Sequence, residues 1–229
     1  MAELYDLAIP LGEACSATET LREAGLQHLS FPYDWLATAE IDTERAMHDF
    51  VTRAATVANR FPDWIGKENL SFVASTPQNG KDVYLDKRLG LIFNHDFLSG
   101  APFDEMFEKV NSRYQKRIAR LLELLADAKR VLLVRVERPA DKLLTPMPVS
   151  IEDCCEARRV LCEAYPNATF DVILFAFDRG RDEKDMIVEE IEPNIRRIAF
   201  DYHNYAPGFM EYAVRIDRTA KILRSYARV

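Results

Sequence analysis

Short apolar runs of strand length alternate with longer amphipathic segments along this chain. Residues 4–10, 131–136 and 170–177 form such runs, and segments 102–128 and 150–165 carry apolar side chains at helical spacing. This alternation is typical of crossover units, in which a helix returns the chain to start a parallel strand. We therefore expect an α/β fold with three layers, in which a mostly parallel sheet has helices on both faces.

The length of the chain sets the expected number of domains. At 229 residues, one domain is the usual outcome, and a core of that size needs neither a disulfide nor a metal to be stable. The sequence shows no internal repeat and no low-complexity tract. We therefore expect a single domain over residues 1–229, with the motifs described below concentrated in residues 5–137.

Composition and charge exclude several classes of function. The formal net charge of −7 argues against a general nucleic-acid-binding protein, which would present a basic face. The first residues lack the pattern of a signal peptide, and no apolar run approaches the roughly 18 residues that span a membrane. Glycine-rich nucleotide loops and the His-Glu-x-x-His metal motif are missing. We expect a cytoplasmic protein without a cofactor, a bound metal or a membrane partner, whose four cysteines are thiols.

Cys15 lies where the first predicted strand passes into a predicted helix. A thiol there sits near the positive end of the helix dipole, which favours the reactive thiolate. The alternative is a small buried residue in a tight turn, because free cysteine is among the most buried residue types. We expect Cys154, Cys155 and Cys162 in the core, since they fall on the apolar face of their helix. Cys15 is therefore the candidate nucleophile.

His95 is the first candidate for a partner of this thiol. It follows an apolar run and has polar neighbours, Asn94 and Asp96. It could hold the proton in general base catalysis, or it could be a structural histidine bonded to a loop carbonyl. Adjacent residues of an extended segment point in opposite directions, so Asp34 is preferred over Asp96 as the group that orients the imidazole. His203, at a late strand end, is the second candidate base.

Polar residues follow several of the predicted strands. Cys15, His95, Glu137, Asp178 and His203 each come after an apolar run. If the strands are parallel, these residues lie along one edge of the sheet, and ligands of open α/β sheets bind beyond the carboxyl ends of the strands. We therefore expect the functional site at this edge.

An ordered series of motifs runs through the first part of the chain: Pro10-Leu11-Gly12-Glu13-Ala14-Cys15, Ser30-Phe31-Pro32-Tyr33-Asp34-Trp35, Phe93-Asn94-His95-Asp96-Phe97 and Val131-Leu132-Leu133-Val134-Arg135. The series resembles a bacterial family of unknown function that carries the description papain-like cysteine peptidase, and the resemblance covers most of residues 5–137. It implies a cysteine nucleophile at a helix start and a histidine further along the chain. Cys15 and His95 match those positions and that order.

The first hypothesis is a cysteine-dependent hydrolase or acyltransferase that acts on a peptide, an amide or an ester. Cys15 would attack the carbonyl carbon, His95 would accept and return the proton, and Asp34 would orient the imidazole. Backbone N–H groups at the start of the helix that opens with Ser16 would stabilise the oxyanion.

Two other hypotheses stay open. In one, the protein is a non-catalytic accessory module that binds a saccharide or a nucleotide-sugar. In the other, it is esterase-like and similar to hydrolases of the serine-glycine-asparagine-histidine type, with Ser16 or His203 more important than Cys15 or His95. Four polar or aromatic residues are expected to bind the substrate: Ser16, Trp35, Asn94 and Arg135.

Overall fold

The computed structural model describes residues 4–12, 14–39, 49–76, 79–137, 148–202 and 209–227. These residues form nine strands: β1 (Leu7–Pro10), β2 (Leu36–Thr38), β3 (Leu70–Thr76), β4 (Lys81–Asp86), β5 (Leu91–Leu98), β6 (Arg130–Val136), β7 (Thr169–Phe177), β8 (Ile187–Glu192) and β9 (Ile195–Phe200). They also form five α-helices: α1 (Ser16–Glu23), α2 (Asp49–Ala58), α3 (Phe103–Asp127), α4 (Ile151–Ala164) and α5 (Phe209–Ala227). None of these described helices is both long enough and apolar enough to cross a membrane.

Five strands form a mostly parallel sheet in the order β1-β6-β7-β9-β8. β1, β6, β7 and β9 run parallel, and β8 pairs with β9 in the antiparallel direction. β6 and β7 are buried along nearly their whole length, as continuous apolar runs are when both faces of a parallel sheet are covered. The expected α/β class and the mostly parallel character of this sheet are confirmed.

Successive side chains of β6 enter two separate apolar clusters. Val131 and Leu133 belong to a cluster that also contains residues of α2, α3 and α4. Leu132 and Val134 belong to a cluster that also contains residues of α1 and α5. Because neighbouring side chains of a strand point to opposite faces, β6 is buried by apolar contacts on both of its faces.

The chain also forms a second sheet, which is antiparallel and has the strand order β2-β5-β4-β3. His95 was expected just after an apolar strand, and it lies inside β5 of this antiparallel sheet, so the condition of parallel strands on which the common edge depended does not hold for it. A short turn connects β4 to β5. In it, Asp86 Oδ1 accepts hydrogen bonds from the backbone N–H groups of Arg88 and Leu89, both at 2.9 Å. A turn of this length gives antiparallel neighbours, whereas parallel neighbours need a long crossover.

Candidate functional site

Cys15 lies directly before α1, at the end of the turn that follows β1. The turn is tight at Gly12, where a Cβ atom would lie 2.7 Å from the Cβ of Ala17 in α1. Cβ atoms do not approach one another that closely, so glycine is needed for β1 to pass so directly into α1. The local sequence therefore places the thiol of Cys15 a few residues beyond the carboxyl end of β1.

All three cysteines of α4 contact the apolar core. Cys154 is 1% exposed, and Cys155 and Cys162 are partly buried against the same cluster. The expected place in the core is confirmed for Cys154, whereas Cys155 and Cys162 lie at the edge of the core and stay partly exposed. Cys15 differs from them because it precedes its helix instead of packing along it.

The side chain of Cys15 is half-buried and makes no capping hydrogen bond to α1. Its backbone carbonyl accepts the N–H of Glu19 at 3.0 Å. Burial raises the pKa of the Cys154 thiol to about 12, and burial together with Glu192 also raises the pKa of Cys155. Reactive cysteines are accessible and ionise easily, so neither Cys154 nor Cys155 is well placed to act as a nucleophile.

Ser16 is the first residue of α1 and is fully buried. Its hydroxyl has no hydrogen-bond partner among the described residues. A hydroxyl enclosed in this way does not face solvent, from which a substrate would approach. A role of Ser16 in attack or in substrate binding therefore stays a prediction. The esterase-like hypothesis gains no support from this position.

Asp34 lies beside α1 with its side chain completely buried. Thr18 Oγ1 of α1 donates to the backbone carbonyl of Asp34 at 2.9 Å. Gln27 Nε2 donates to both carboxylate oxygens, at 3.0 and 3.1 Å, and Arg22 Nη2 lies 3.5 Å from Oδ2. Burial raises the pKa of Asp34 to about 6, because it outweighs the opposite effects of Gln27 and Arg22. A carboxyl group that titrates near neutral pH is a frequent feature of functional sites.

A β-bulge interrupts β5 at residues 94–96. Phe93 pairs with Tyr84 of β4 and Phe97 pairs with Asp82, so the three residues between them face a single residue of β4. Extra residues of this kind break the regular alternation of side chains and re-aim them, often next to active sites. The bulge therefore decides where the side chains of residues 94–96 point.

Within the bulge, His95 is exposed and Asp96 is buried. Asp96 binds α3, since Arg113 Nη2 lies 2.5 Å from Oδ1 and the hydroxyl of Tyr114 lies 3.0 Å from Oδ2. The imidazole of His95 makes no hydrogen bond with any described residue. Because the carboxylate of Asp96 is engaged by α3, it is poorly placed to orient His95, as the sequence indicated.

The loop that carries Asp34 and Trp35 approaches the same region from β2. Leu36 of β2 lies opposite Phe93 of β5 in an antiparallel ladder. Because the two strands are antiparallel, the residues before Leu36 and the residues after Phe93 lie at the same end of the β2–β5 pair. Asp34 and Trp35 thus share this end of the ladder with His95.

Among the described residues, the three side chains expected to be catalytic do not form a hydrogen-bonded triad. Cys15 directly precedes α1, and Thr18 Oγ1 of α1 donates to the backbone carbonyl of Asp34. Among the described residues, no hydrogen bond joins the imidazole of His95 to Cys15 or to Asp34. Proton transfer needs hydrogen-bond reach, so a Cys15–His95 dyad stays a prediction that requires the imidazole to move closer.

Two of the residues expected to bind substrate flank this region. Trp35 is half-buried, and the guanidinium carbon of Arg22 lies 5.1 Å from the centre of its ring. Arg22 is held in turn by Ser30, whose Oγ lies 2.8 Å from Nη2. Asn94 is half-buried in the bulge. Substrate contact by Trp35 and Asn94 stays a prediction.

Arg135, which was also expected to bind substrate, is 1% exposed. Its Nη1 atom donates to the carbonyl of Leu11 at 3.1 Å and to Asp49 Oδ2 at 2.8 Å. Asp49 also accepts from Arg53 Nε at 3.0 Å. Burial alone would raise the pKa of Asp49, but the charges of Arg53 and Arg135 hold it below its usual value. In this structure, Arg135 therefore supports the turn that leads to Cys15.

Sequence reasoning missed the partners in this buried network. Arg53 also donates from Nη2 to Thr38 Oγ1 at 2.9 Å and stacks on Tyr33, with 4.8 Å between its guanidinium carbon and the ring centre. The one available signal is the i,i+4 spacing of Asp49 and Arg53, which favours a salt bridge on a helix. Arg135 lies 86 positions from Asp49, so no local pattern could reveal that contact.

The remaining site expectations concern a second base and a metal. His203 lies outside the described residues. Within the part of the chain that the structure describes, no three His, Cys, Asp or Glu side chains come together in a way that could hold a metal ion.

The fold and the site define an α/β protein with a half-buried thiol at the start of its first helix. A family model described as "Putative papain-like cysteine peptidase (DUF1796)" matches residues 6–180. The match covers most of the chain, so the protein belongs to this family, as the motifs indicated. It includes Cys15, Asp34 and His95. Comparisons with curated proteins and with solved structures give no significant match.

Proposed function

We propose that this protein is a cysteine-dependent hydrolase or acyltransferase and that Cys15 is its nucleophile. The observation that carries the proposal is the half-buried thiol at the start of α1, a few residues after β1. The positive end of a helix dipole stabilises a thiolate, and the family description points to the same chemistry on peptide bonds. The proposal includes a three-layer arrangement with the site beyond the carboxyl ends of the parallel strands.

In the proposed reaction, the sulfur of Cys15 attacks the carbonyl carbon of a peptide, an amide or an ester, and a carbon–sulfur bond forms. His95 removes the thiol proton and returns it to the leaving nitrogen or oxygen as the bond to the carbonyl carbon breaks. Water then cleaves the thioester in a hydrolase, and another nucleophile does so in an acyltransferase. His203 is the alternative base.

The start of α1 offers donors for the oxyanion. The first N–H groups of an α-helix have no partner within the helix. In α1 the N–H of Glu19 donates to the carbonyl of Cys15, which leaves the N–H groups before Glu19 outside this pattern. The backbone N–H groups of Ser16 and Ala17 are therefore candidates to bind the negative oxygen that develops during attack. In this proposal Arg135 acts as a positioning residue, because it holds the preceding turn.

Asp34 is the proposed partner of the His95 imidazolium. Its oxygens already accept hydrogen bonds from Gln27, but a carboxylate has lone pairs for further donors. With a pKa of about 6, Asp34 is mostly ionised above that pH and would stabilise a positive imidazolium nearby. The proposal therefore predicts activity that rises as Asp34 ionises.

Alkylation tests the nucleophile. We expect iodoacetamide near pH 6 to label Cys15 at least tenfold faster than Cys162, which is also half-buried but lies inside α4. Mass spectrometry of the labelled peptides measures both rates in one sample. The Cys15→Ala variant should lose turnover of a panel of peptide and ester substrates, whereas Cys162→Ala should keep it. Equal labelling of the two thiols would remove the basis of the proposal.

A second candidate function is a non-catalytic module that binds a saccharide or a nucleotide-sugar. It is favoured by the half-buried ring of Trp35 beside Arg22, and by the lack of a hydrogen bond between Cys15 and His95 in the described part of the chain. Under this alternative, affinity for a glycan panel survives Cys15→Ser and falls for Trp35→Ala, and no substrate is turned over.

A further inference from the structure

A cavity of about 240 Å³ lies at the amino ends of the parallel strands. Cys15 follows the carboxyl end of β1, so the cavity is separate from the site described above. Four neighbouring strands, β6, β7, β9 and β8, each contribute one charged side chain to its lining, and the charges alternate in sign across the sheet. We refer to these four as the charged row: Arg130, Asp171, Arg196 and Glu190.

Three members of the charged row lie on one face of the sheet. Arg130, Asp171 and Arg196 each precede, by two residues, an apolar side chain of the cluster that contains residues of α1 and α5. Alternate residues of a strand share a face. The three charged groups therefore continue this face beyond the end of its apolar cluster, with Asp171 buried and the two arginine side chains partly exposed.

Two tyrosine rings hold the arginines in place. The guanidinium carbon of Arg130 lies 5.1 Å from the centre of the Tyr5 ring, and that of Arg196 lies 4.5 Å from the centre of the Tyr226 ring. Arg130 also donates from Nε and Nη2 to Asp171 Oδ2, at 2.9 and 2.8 Å. A planar guanidinium is well suited to bind a carboxylate through two hydrogen bonds.

The charged row contains unused polar groups. Asp171 is 6% exposed, and its Oδ1 atom has no hydrogen-bond partner among the described residues. Burial, the charge of Asp171 and the approach of its carboxylate as a hydrogen-bonding partner raise the pKa of Tyr5. The contact with the Tyr5 hydroxyl falls short of a full hydrogen bond to Oδ1. The guanidinium of Arg196 makes no side-chain hydrogen bond within the described chain, and its ion pair with the exposed Glu190 is 3.8 Å long. An unpaired buried oxygen costs free energy that a ligand donor would recover.

We propose that this cavity binds a small α-hydroxy carboxylate. The ligand's carboxylate accepts hydrogen bonds from the guanidinium groups of Arg130 and Arg196, and its hydroxyl donates to Asp171 Oδ1. A hydroxyl fits better than an ammonium group because Asp171 lies between two arginines, which repel a further cation. The volume is below the roughly 300 Å³ at which sites for drug-sized ligands begin, so the ligand is a small molecule.

Titration of the full chain with lactate, followed through the NMR shifts of backbone amides, tests this proposal. We expect saturable shifts around the charged row. Acetate lacks the hydroxyl and alanine carries an ammonium group in its place, so each should bind at least tenfold more weakly than lactate. Equal binding of acetate or of alanine would contradict the proposal, as would the lack of saturable lactate binding below about 10 mM.

Arg196→Gln and Arg197→Gln form a matched pair of variants. Arg197 is the next residue of β9 and pairs with Glu189 at 2.8 Å, so its side chain belongs to the opposite face. We expect Arg196→Gln to weaken lactate binding at least tenfold and Arg197→Gln to leave it within twofold. Equal weakening by both variants would overturn the assignment to the charged row.

Discussion

The guanidinium of Arg135 in β6 donates a hydrogen bond to the carbonyl oxygen of Leu11, 3.1 Å away. Leu11 directly precedes Gly12, in the turn that leads to Cys15. The same guanidinium nitrogen bonds Asp49 of α2 at 2.8 Å. The turn that presents the thiol is therefore anchored both to the parallel sheet and, through Asp49, to α2.

Replacing Arg135 should destabilise the fold strongly. Arg135→Met removes one of two cationic partners of the buried Asp49, and breaking a buried ion pair in this way typically costs about 3–5 kcal/mol. We expect a clear fall in the midpoint of urea unfolding. Arg197→Met, which breaks a more exposed ion pair, should cost no more than about 1 kcal/mol. A similar cost for both variants would show that the Arg135 contacts do not anchor the turn.

The stability of the protein should depend on pH through Asp34. Its pKa is raised from 3.8 to about 6 in the folded state, and burial is the largest cause, so folding favours the protonated carboxyl. The stabilisation from this group is complete below about pH 4 and is lost as pH rises through 6. A shift of this size corresponds to about 3 kcal/mol.

The Asp34→Asn variant isolates this effect because an amide does not titrate. Its free energy of unfolding should vary less between pH 4 and 7 than that of the wild type, as measured by urea unfolding at a series of pH values. Asp127→Asn, at an exposed position at the end of α3, should keep the wild-type profile. If Asp34→Asn keeps it as well, the buried carboxyl is not the source of the pH dependence.

A methyl group at position 12 should disturb the turn before Cys15. In Gly12→Ala, the new Cβ would meet the Cβ of Ala17 at 2.7 Å, and overpacking of this kind costs about 1–3 kcal/mol. We also expect slower alkylation of Cys15, because the turn must shift. Adding Ala17→Gly removes the opposing Cβ and should restore the labelling rate, even though a helical glycine costs about 1 kcal/mol. A double variant that labels as slowly as Gly12→Ala would rule out this contact as the cause.

Substitutions of the neighbouring bulge residues His95 and Asp96 should affect different properties: reactivity for His95 and stability for Asp96. His95→Gln changes an exposed side chain and should alter stability by less than about 0.5 kcal/mol, while it lowers the rate of Cys15 alkylation and of turnover. Asp96→Asn disturbs the buried contacts with Arg113 and Tyr114 and should cost about 1–3 kcal/mol. Thermal unfolding and iodoacetamide labelling separate the two effects, and unchanged labelling of His95→Gln would remove His95 as the base.

The parallel sheet could be predicted because its central strands are continuous apolar runs that end in recognisable turns. The position where β5 ends could not be predicted, since the polar residues 94–96 suggest that the strand stops before them. In the structure the backbone continues through the bulge, and Phe97 again pairs with β4. Hydrophobic periodicity carries no signal for such a bulge, so the place of His95 needed coordinates.

In the candidate site, too, some features could be predicted from the sequence and others could not. Cys15 could be placed from sequence because a strand, a glycine and a helix start follow one another within a few residues. The role of Arg135 could not, because its partners Leu11 and Asp49 are 124 and 86 positions away. An arginine at a strand end suggests a ligand contact, and only the packing of α2 against the sheet shows that its hydrogen bonds are used internally.

The strand order also bears on how the protein is made. β7 pairs with β6 on one side and with β9 on the other, so one edge of β7 stays open on the ribosome until residues 195–200 have been synthesised. The match to the family ends at residue 180, and a fragment that stops there would expose this apolar edge and lack the contribution of α5 to one cluster. Open strand edges pair readily with other chains. We therefore expect such a fragment to aggregate. We also expect the smallest part of the chain that folds on its own to extend beyond residue 180.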